Sequence, residues 1–342
     1  MVDRIVVFSA FFADSAVKFR VQDSRDIMRT LTATMTLPSP DAAEQSAAVR
    51  SRMADYFELT KPRIAFMALF TVAVGYFLGA APSPSLQMLL HTLIGTALVA
   101  AGGSALNHWL ERRADARMNR TSNRPLPSGR MNPADVFVFG ATLAILGVAY
   151  LAFAIPQHPS AAIAAAATAF LYVAVYTPMK RLTAWNTVVG AIPGALPPVI
   201  GWCAAHGTLT TDTLALFLIL FVWQLPHFFS IAFMHRHDYA RGGMKMLPCV
   251  ERADGYWTGV ATIATCVLLI AVGTTPYLIG SAREIFLIGS FALGVWFLAR
   301  AIRFGRNRTE RSARQVLRGS LIYLMGVMAL LIIDWLLPRY IG

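Results

Sequence analysis

Charged residues are scarce in this sequence. Asp, Glu, Lys and Arg together make up 14% of its 342 residues, whereas soluble globular proteins carry about 25%. Hydrophobic residues make up 56%, and the mean hydropathy is +0.54. So few polar side chains cannot coat a water-facing globule. This excludes the soluble two-domain protein that the length would otherwise suggest.

Acidic residues are scarcer than basic ones, with 18 Asp and Glu against 30 Lys and Arg, which gives a net charge of +12. A strongly basic chain can bind nucleic acid, but that function needs a basic face on a water-soluble body. Here the basic residues lie mostly in short gaps between long apolar runs. We therefore predict no nucleic-acid partner. The basic residues instead indicate membrane topology and attraction for anionic lipid or an anionic substrate.

Cysteine is rare as well. The three cysteines, Cys203, Cys249 and Cys266, are scattered, and the sequence has no Cys-x-x-Cys motif or Cys/His cluster. This pattern excludes a disulfide framework and a cysteine-based zinc site. The cysteines are interpreted as ordinary small apolar residues.

The first 55 residues differ in composition from the rest. They are rich in polar residues, and their one apolar patch, residues 5–13, is shorter than the roughly 20 residues needed to span a bilayer. We predict a disordered N-terminal extension over residues 1–55 and a membrane domain over residues 56–342. A translation start at Met35 or Met53 and a weak organelle-targeting signal are the alternatives for the extension.

Long apolar segments recur from residue 63 onward. Each has 19–23 residues, enough to cross roughly 30 Å of hydrocarbon as a helix. They predict an all-α fold, a polytopic membrane bundle of nine transmembrane helices. The segments are residues 63–81, 86–107, 133–155, 159–177, 185–205, 211–233, 256–277, 283–303 and 317–338.

Loops that contain basic residues alternate with loops that contain none. The basic loops hold sixteen Lys and Arg and are residues 108–132, 178–184, 234–255 and 304–316. The loops without any are residues 82–85, 156–158, 206–210 and 278–282. Because the loops on the inner side of a membrane carry the excess of Lys and Arg, the N-terminus is predicted inside and the C-terminus outside. A bacterial inner membrane is the predicted location, with the mitochondrial inner membrane as the alternative.

Three polar side chains follow one another at four-residue spacing near the end of the second segment: Asn107, Glu111 and Asp115. On a continuing helix they share one face, and their oxygen atoms suit Mg²⁺. Arg117, Arg120 and Arg124 come next and can bind phosphate oxygens through forked hydrogen bonds. The alternative is a solvated loop in which these acids and arginines form ordinary surface ion pairs.

Two further inner loops carry candidate residues. Lys180 and Arg181 follow the fourth segment, where anchoring of the helix at the membrane surface is the alternative role. Asp238 is the only acid between residues 223 and 248. It can hold a second cation or orient a diphosphate.

The sixth segment contains Pro226 and His227. The proline is expected to kink the helix and open a cavity, and the histidine either contacts a substrate or forms a structural hydrogen bond. Asn186, which is polar within the fifth apolar segment, is expected to face the same cavity.

These motifs resemble those of the UbiA-type prenyltransferases, and more narrowly the branch that farnesylates heme. The resemblance covers about residues 57–338, and it is carried by residues 59–63, 107–126, 176–181, 194–201, 223–228, 238–239 and 246–248. Two departures from the wider family stand out. Glu111 replaces a common Asp, and Gly242 occupies the place of a second acid in other branches.

The resemblance implies a nine-helix prenyltransferase fold and transfer of a farnesyl group from farnesyl diphosphate to a vinyl group of heme b. With water this gives heme o and diphosphate, a step towards the cofactor of cytochrome oxidase. Membrane lipid and a downstream heme-modifying enzyme are the other implied partners. The implied catalytic residues, which also hold Mg²⁺, are Asn107, Glu111, Asp115 and Asp238. The expected substrate-binding residues are Arg120, Arg124, Lys180, Arg181 and His227.

Two other functions remain open at this point. A prenyltransferase acting on a quinone precursor is the near alternative. A transporter is the distant alternative. A transporter would distribute polar residues through the helix centres, whereas the acids of this sequence cluster at one face of the membrane.

Overall fold

A computed structural model describes residues 51–80, 83–251 and 254–341, and side chains up to residue 337. Within these ranges, nine helices are long and apolar enough to cross a membrane. They are α1 (Pro62–Gly79), α2 (Leu86–Asp115), α3 (Pro133–Ala154), α4 (Pro159–Met179), α5 (Asn186–His206), α6 (Thr211–Met234), α7 (Tyr256–Leu278), α8 (Glu284–Asn307) and α9 (Glu310–Leu337). The prediction of an all-helical bundle with nine membrane helices is confirmed. Most of the predicted extension lies outside the described residues.

Two helices are longer than the apolar runs that predicted them. Helix α2 continues to Asp115, beyond its predicted end at residue 107, and α9 begins at Glu310 rather than at residue 317. The added residues are mostly Leu, Glu, Arg and Ala, which favour helix even where they are charged. Hydropathy marks the part of a helix that crosses hydrocarbon, not where the helix ends.

Helices α4 and α5 are irregular, α4 near its C-terminal end and α5 near its middle. Helix α4 widens into a π-helical turn over Leu171–Tyr176, and the Thr177 hydroxyl donates to the Tyr172 carbonyl at 2.8 Å. Helix α5 is interrupted at Leu196, before Pro197, because a proline has no N–H to continue the helical hydrogen bonds. Helix α6, in contrast, is continuous through Pro226.

The helices pack around two main apolar cores. One core joins α6, α7, α8 and α9, and the other joins α1, α2, α3, α4 and the second half of α5. Helix α1 approaches α5 very closely at two glycines. A Cβ atom at Gly75 would lie 2.0 Å from the Pro198 carbonyl oxygen, and one at Gly201 would lie 1.9 Å from the Val72 oxygen. Such small residues let membrane helices come into backbone contact.

Replacing Gly201 by alanine is expected to force α1 and α5 apart. Overpacking of this kind typically costs about 1–3 kcal/mol, and we expect Gly201→Ala to lower the melting temperature of the detergent-solubilised protein. Gly103→Ala is the matched control, because a Cβ atom there meets only Tyr172 and Val173 side-chain atoms at 3.5 Å or more. Equal melting temperatures for the two variants would contradict the close approach.

Candidate active site

A cavity of about 620 Å³ lies between α1, α2, α4, α5, α6 and α9. Along α2 it extends from Thr96 to Asp115, a separation of 19 residues or roughly 28 Å of helix. Its inner part is lined by apolar and aromatic side chains, including Val99, Ile200 and Trp223. Its other end is polar and is lined by Asn107 and by charged residues of α1, α2, the loop after α2 and the segments flanking α1 and α4: Lys61, Arg63, Glu111, Asp115, Arg120, Arg124 and Lys180.

The last turns of α2 place three predicted site residues on the cavity wall. Asn107, Glu111 and Asp115 are 1%, 6% and 1% exposed and all line the cavity. Their four-residue spacing keeps them on one face because α2 continues without interruption to Asp115. The interpretation of residues 107–115 as a solvated loop is therefore wrong.

Each of these three side chains contacts the positively charged side chain of a lysine or an arginine. The Lys61 ammonium donates to Asn107 Oδ1 at 2.9 Å, Lys180 Nζ lies 2.8 Å from Glu111 Oε1, and Arg124 Nη1 donates to Asp115 Oδ2 at 2.8 Å. The loop after α2 folds back to bring Arg124 into reach. These are buried pairs, in which each partner offsets the desolvation of the other.

The electrostatics of the two lysines differ. Burial, together with the nearby Arg124 guanidinium, lowers the pKa of Lys61 to about 7. Burial alone would also lower the pKa of Lys180, but the Glu111 carboxylate outweighs it and holds that pKa above its usual range. Lys180 is therefore firmly cationic, while Lys61 lies close to its titration point at neutral pH.

Two buried oxygen atoms make the donor set suitable for a divalent cation. Asp115 Oδ1 is buried and has no hydrogen-bond partner among the described residues. The Asn107 amide nitrogen donates to Thr177 Oγ1 at 3.2 Å, and its oxygen accepts from Lys61, so a divalent cation would take the place of the Lys61 ammonium at that oxygen. Mg²⁺ prefers such oxygen ligands. Among the described residues, His, Cys, Asp and Glu form no cluster of three or more, so the donor set here is two carboxylates and an amide.

Asp238 lies on the short helix Arg236–Arg241 and does not line the cavity. Its Oδ1 accepts hydrogen bonds from the Asn119 backbone N–H at 3.1 Å and from the Arg241 guanidinium. The hydrogen bond from Arg241 lowers the pKa of Asp238. Asp238 thereby connects its own loop to the loop after α2.

The remaining predicted substrate-binding residues fall into two groups. Arg120 lines the cavity and lies over the Tyr239 ring at 4.8 Å, and His227 lines it with Nδ1 2.8 Å from Ser320 Oγ. Arg181 is exposed outside the lining, with its guanidinium 3.5 Å from the Leu110 carbonyl. His227 thus combines the two alternatives, since it faces the cavity and also forms a structural hydrogen bond.

The expectation that Asn186 faces the cavity is wrong. Asn186 is fully buried outside the lining, and its Nδ2 donates to the Thr183 and Lys245 carbonyls at 2.6 and 3.0 Å. The side chain fixes the loop after α6 against the start of α5. A polar residue in an apolar run can serve a neighbouring backbone as well as a cavity.

Sequence reasoning assigned no role to Lys61, Tyr172 or Tyr176, all of which line the cavity. Lys61 adopts a left-handed backbone conformation with φ 48°, which is uncommon outside glycine and tends to occur at functional sites. The Tyr176 ring lies 4.6 Å from the Lys180 ammonium. The available signals were the family-like stretches 59–63 and 176–181, which contain Lys61 and Tyr176, and the charge directly before Pro62 at the start of a membrane helix.

Comparison with known proteins agrees with this geometry. The sequence pattern of the UbiA prenyltransferase family matches residues 68–330. The chain is 45% identical over 291 residues to the protoheme IX farnesyltransferase of Solibacter usitatus, covering 82% of this chain and 99% of that protein. It is 44% identical to the protoheme IX farnesyltransferase of Salinibacter ruber, covering 83% of this chain and 99% of that protein.

Solved structures share the fold at much lower identity. A digeranylgeranylglyceryl phosphate synthase structure matches with a TM-score of 0.67 at 19% identity, covering 83% of this chain and 99% of that one. A UbiA homolog from Archaeoglobus fulgidus bound to GPP and Mg²⁺ matches with a TM-score of 0.58 at 17% identity, covering 81% and 99%. The resemblance inferred from the motifs is confirmed: this chain is an integral membrane enzyme that belongs to the UbiA prenyltransferase family.

Proposed function

We propose that this enzyme transfers the farnesyl group of farnesyl diphosphate to a vinyl group of heme b. The observation that carries the proposal is the cavity itself, which joins a buried cationic end to a long apolar and aromatic body. This shape is complementary to a substrate with a charged head and a hydrocarbon chain. The identity of 45% to a relative named protoheme IX farnesyltransferase supports heme b as the acceptor.

The diphosphate is held by the basic residues at the polar end. Arg120 and Arg124 offer guanidinium groups that match phosphate oxygens in pairs, while Lys61 and Lys180 add compact ammonium charges. Arg181, at the edge of the site, adds positive potential for an approaching anion. Among the described residues, five cationic side chains, counting Arg63, line this end against two carboxylates, an imbalance that would be costly without an anionic ligand.

Mg²⁺ would be held by Asn107, Glu111 and Asp115. Asp238 lies outside the cavity lining and would act indirectly, by holding the loop after α2 through the Asn119 backbone N–H. The unpartnered Asp115 Oδ1 and the oxygen-rich donor set support this assignment, and a UbiA homolog was solved with GPP and Mg²⁺. When bound, the ion would neutralise negative charge that develops on the departing diphosphate.

The reaction begins when the bond between the farnesyl C1 atom and the diphosphate oxygen breaks. Arg120, Arg124 and Lys180 stabilise the leaving anion, and the aromatic faces of Tyr172, Tyr176 and other lining residues stabilise the allylic cation. The vinyl group attacks that cation, and the new cation beside the porphyrin ring takes a hydroxyl from water with release of a proton. The products are heme o and diphosphate, so atoms and charge balance.

The apolar body of the cavity keeps water from the first cation. Premature attack by water would hydrolyse the donor to farnesol. This part is lined by Trp223, Phe228 and Leu324. The Trp223 indole N–H donates a hydrogen bond to the Ser320 carbonyl at 2.6 Å. Three polar residues of the described lining, Thr71, Thr168 and Gln224, donate to backbone carbonyls, which reduces their capacity to hold water near the reacting carbon.

The distribution of basic residues supports an orientation for the molecule. The polar end of the cavity and the basic loops lie on the same side of the bundle, which we assign to the cytoplasm in a bacterial inner membrane, with the N-terminus inside and the C-terminus outside. Heme o is strongly apolar, so an enzyme that modifies it further in the same membrane is the expected downstream partner.

The decisive experiment incubates the purified enzyme with heme b, farnesyl diphosphate and Mg²⁺ and analyses the heme by mass spectrometry. We expect a product heavier by one farnesyl group and one hydroxyl, and none after excess chelator removes the Mg²⁺. Restoring Mg²⁺ should restore product. Farnesylation of a quinone precursor with no change in heme would contradict the proposed acceptor, and full activity in chelator would contradict the metal dependence.

A further inference from the structure

A second cavity, of about 340 Å³, lies at the other end of the bundle. It is enclosed by the start of α6, the turn between α7 and α8, and the end of α9. On α1 it is lined by Leu78, 17 residues beyond Lys61 and roughly 25 Å away along the helix. The two cavities therefore face opposite membrane surfaces, and the second has a volume typical of a small-ligand site.

Asp334 is the buried polar group of this second cavity. It is 6% exposed, and its Oδ2 accepts a hydrogen bond from the Arg283 backbone N–H at 3.0 Å. Its Oδ1 is buried with no hydrogen-bond partner among the described residues. A buried carboxylate oxygen without a donor is destabilising, so a ligand that donates a hydrogen bond to Asp334 would be favoured in this cavity.

Trp202 needs a hydrogen-bond acceptor, the opposite of the donor that Asp334 needs. It is 7% exposed and lines the same cavity, and its indole Nε1–H has no acceptor among the described residues. A ligand that satisfies both groups must offer a donor to Asp334 and an acceptor to Trp202. Two residues of one cavity lining thus each carry a buried polar atom that has no partner among the described residues.

The charge of the lining selects among such ligands. Asp212 adds a second carboxylate, oriented by the hydroxyls of Ser281 and Thr210, and Arg283 is exposed and supplies the one cationic side chain of the lining within the described residues. Two carboxylates against one guanidinium favour a ligand with a cationic group inside and an anionic group at the mouth. Exposed Leu278 and Ile279 beside the mouth provide apolar surface at the membrane boundary.

We propose that this cavity binds the headgroup of an ethanolamine phospholipid in the leaflet opposite the reaction site. The primary ammonium donates to Asp334 Oδ1 between the two carboxylates, and phosphate or ester oxygens accept from Trp202 and face Arg283. A choline headgroup has no N–H to donate. A glycerol headgroup leaves the lipid anionic, which the two carboxylates disfavour. This inference does not depend on the proposed reaction.

The test uses the full chain in detergent and counts bound lipids by native mass spectrometry. Dioleoyl phosphatidylethanolamine is expected to bind about tenfold more tightly than its choline and glycerol counterparts, the scale of one charge-assisted hydrogen bond. Asp334→Asn should remove that preference, because its amide nitrogen replaces the unpaired acceptor with a donor. Glu284→Gln is the matched control, since it removes an exposed acid on the same face outside the lining and should keep the preference.

Equal binding of the three lipids to the unchanged protein, or a preference that survives Asp334→Asn, would overturn the proposal. If Asp334→Asn does not yield folded protein, Trp202→Phe takes its place. It removes the indole N–H and should weaken ethanolamine lipid binding several-fold, and undiminished binding would count against the site. Binding of soluble O-phosphoethanolamine without binding of the lipid would assign the cavity to a free metabolite and overturn the lipid assignment.

Discussion

Asp115→Asn should reduce turnover by roughly a hundredfold to a thousandfold, the scale seen when one group that stabilises transition-state charge is lost. Asp115 is 1% exposed, lines the polar end of the cavity and has an unpartnered oxygen. The substitution keeps the shape of the side chain but removes its charge, so Mg²⁺ should bind more weakly. Rates of heme farnesylation measured across a range of Mg²⁺ concentrations check this expectation.

The control for this variant is Asp135→Asn, an exposed acid in the first turn of α3 outside the cavity lining. It should leave the rate unchanged, which separates the loss of one particular carboxylate from a general change in surface charge. Both variants should be recovered from membranes in normal amounts. Turnover by Asp115→Asn at the unmodified rate would remove Asp115 from the metal site.

Lys180→Met should destabilise the protein by about 3–5 kcal/mol, the usual effect of leaving one partner of a buried ion pair alone. The side chains of Lys180 and Glu111 are 12% and 8% exposed and lie 2.8 Å apart. The double variant Glu111→Gln with Lys180→Met should recover most of the stability, because neither charge then remains. Thermal unfolding in detergent measures the stability of the single variant, of the double variant and of the unmodified protein.

The more exposed ion pair Arg236–Glu310 is the matched comparison for the single and double variants of Lys180 and Glu111. Its charged atoms are 3.7 Å apart, and its side chains are 25% and 57% exposed. Exposed pairs contribute about 0–1 kcal/mol, so Arg236→Met should have little effect alone or combined with Glu310→Gln. If the Lys180 double variant were as unstable as the single one, the loss would come from packing and not from an unpaired charge.

The membrane helices were predictable because the rule behind them is local. A run of about 20 apolar residues has few alternatives to a spanning helix, and each of the nine spans lies within a few residues of its expected position apart from the polar ends of α2 and α9. The same rule does not detect the break at Leu196 within α5 or the π-helical turn of α4. Both depend on how prolines and neighbouring helices redistribute backbone hydrogen bonds.

The site was predictable only in part, for a related reason. Asn107, Glu111 and Asp115 share one helix, so their spacing alone places them together. Lys61 precedes Asn107 by 46 residues, and Ser320 follows His227 by 93. Contacts between residues so far apart in sequence are determined by helix packing, and no local sequence pattern predicts them. Asp238 lies in the expected loop, yet its orientation towards Asn119 depends on the fold of both loops.

The charged end of the reaction cavity is assembled from helix termini at a single membrane surface. Lys61 precedes the first residue of α1, Asp115 is the last residue of α2, and Lys180 follows the last residue of α4. A multiply charged diphosphate can therefore arrive and depart without crossing hydrocarbon, a passage whose cost would be tens of kcal/mol. Under the proposed reaction, the diphosphate head of the donor would enter, and the inorganic product would leave, at the same end of the helix bundle. The catalytic cycle thus needs neither a flippase nor a transmembrane gradient.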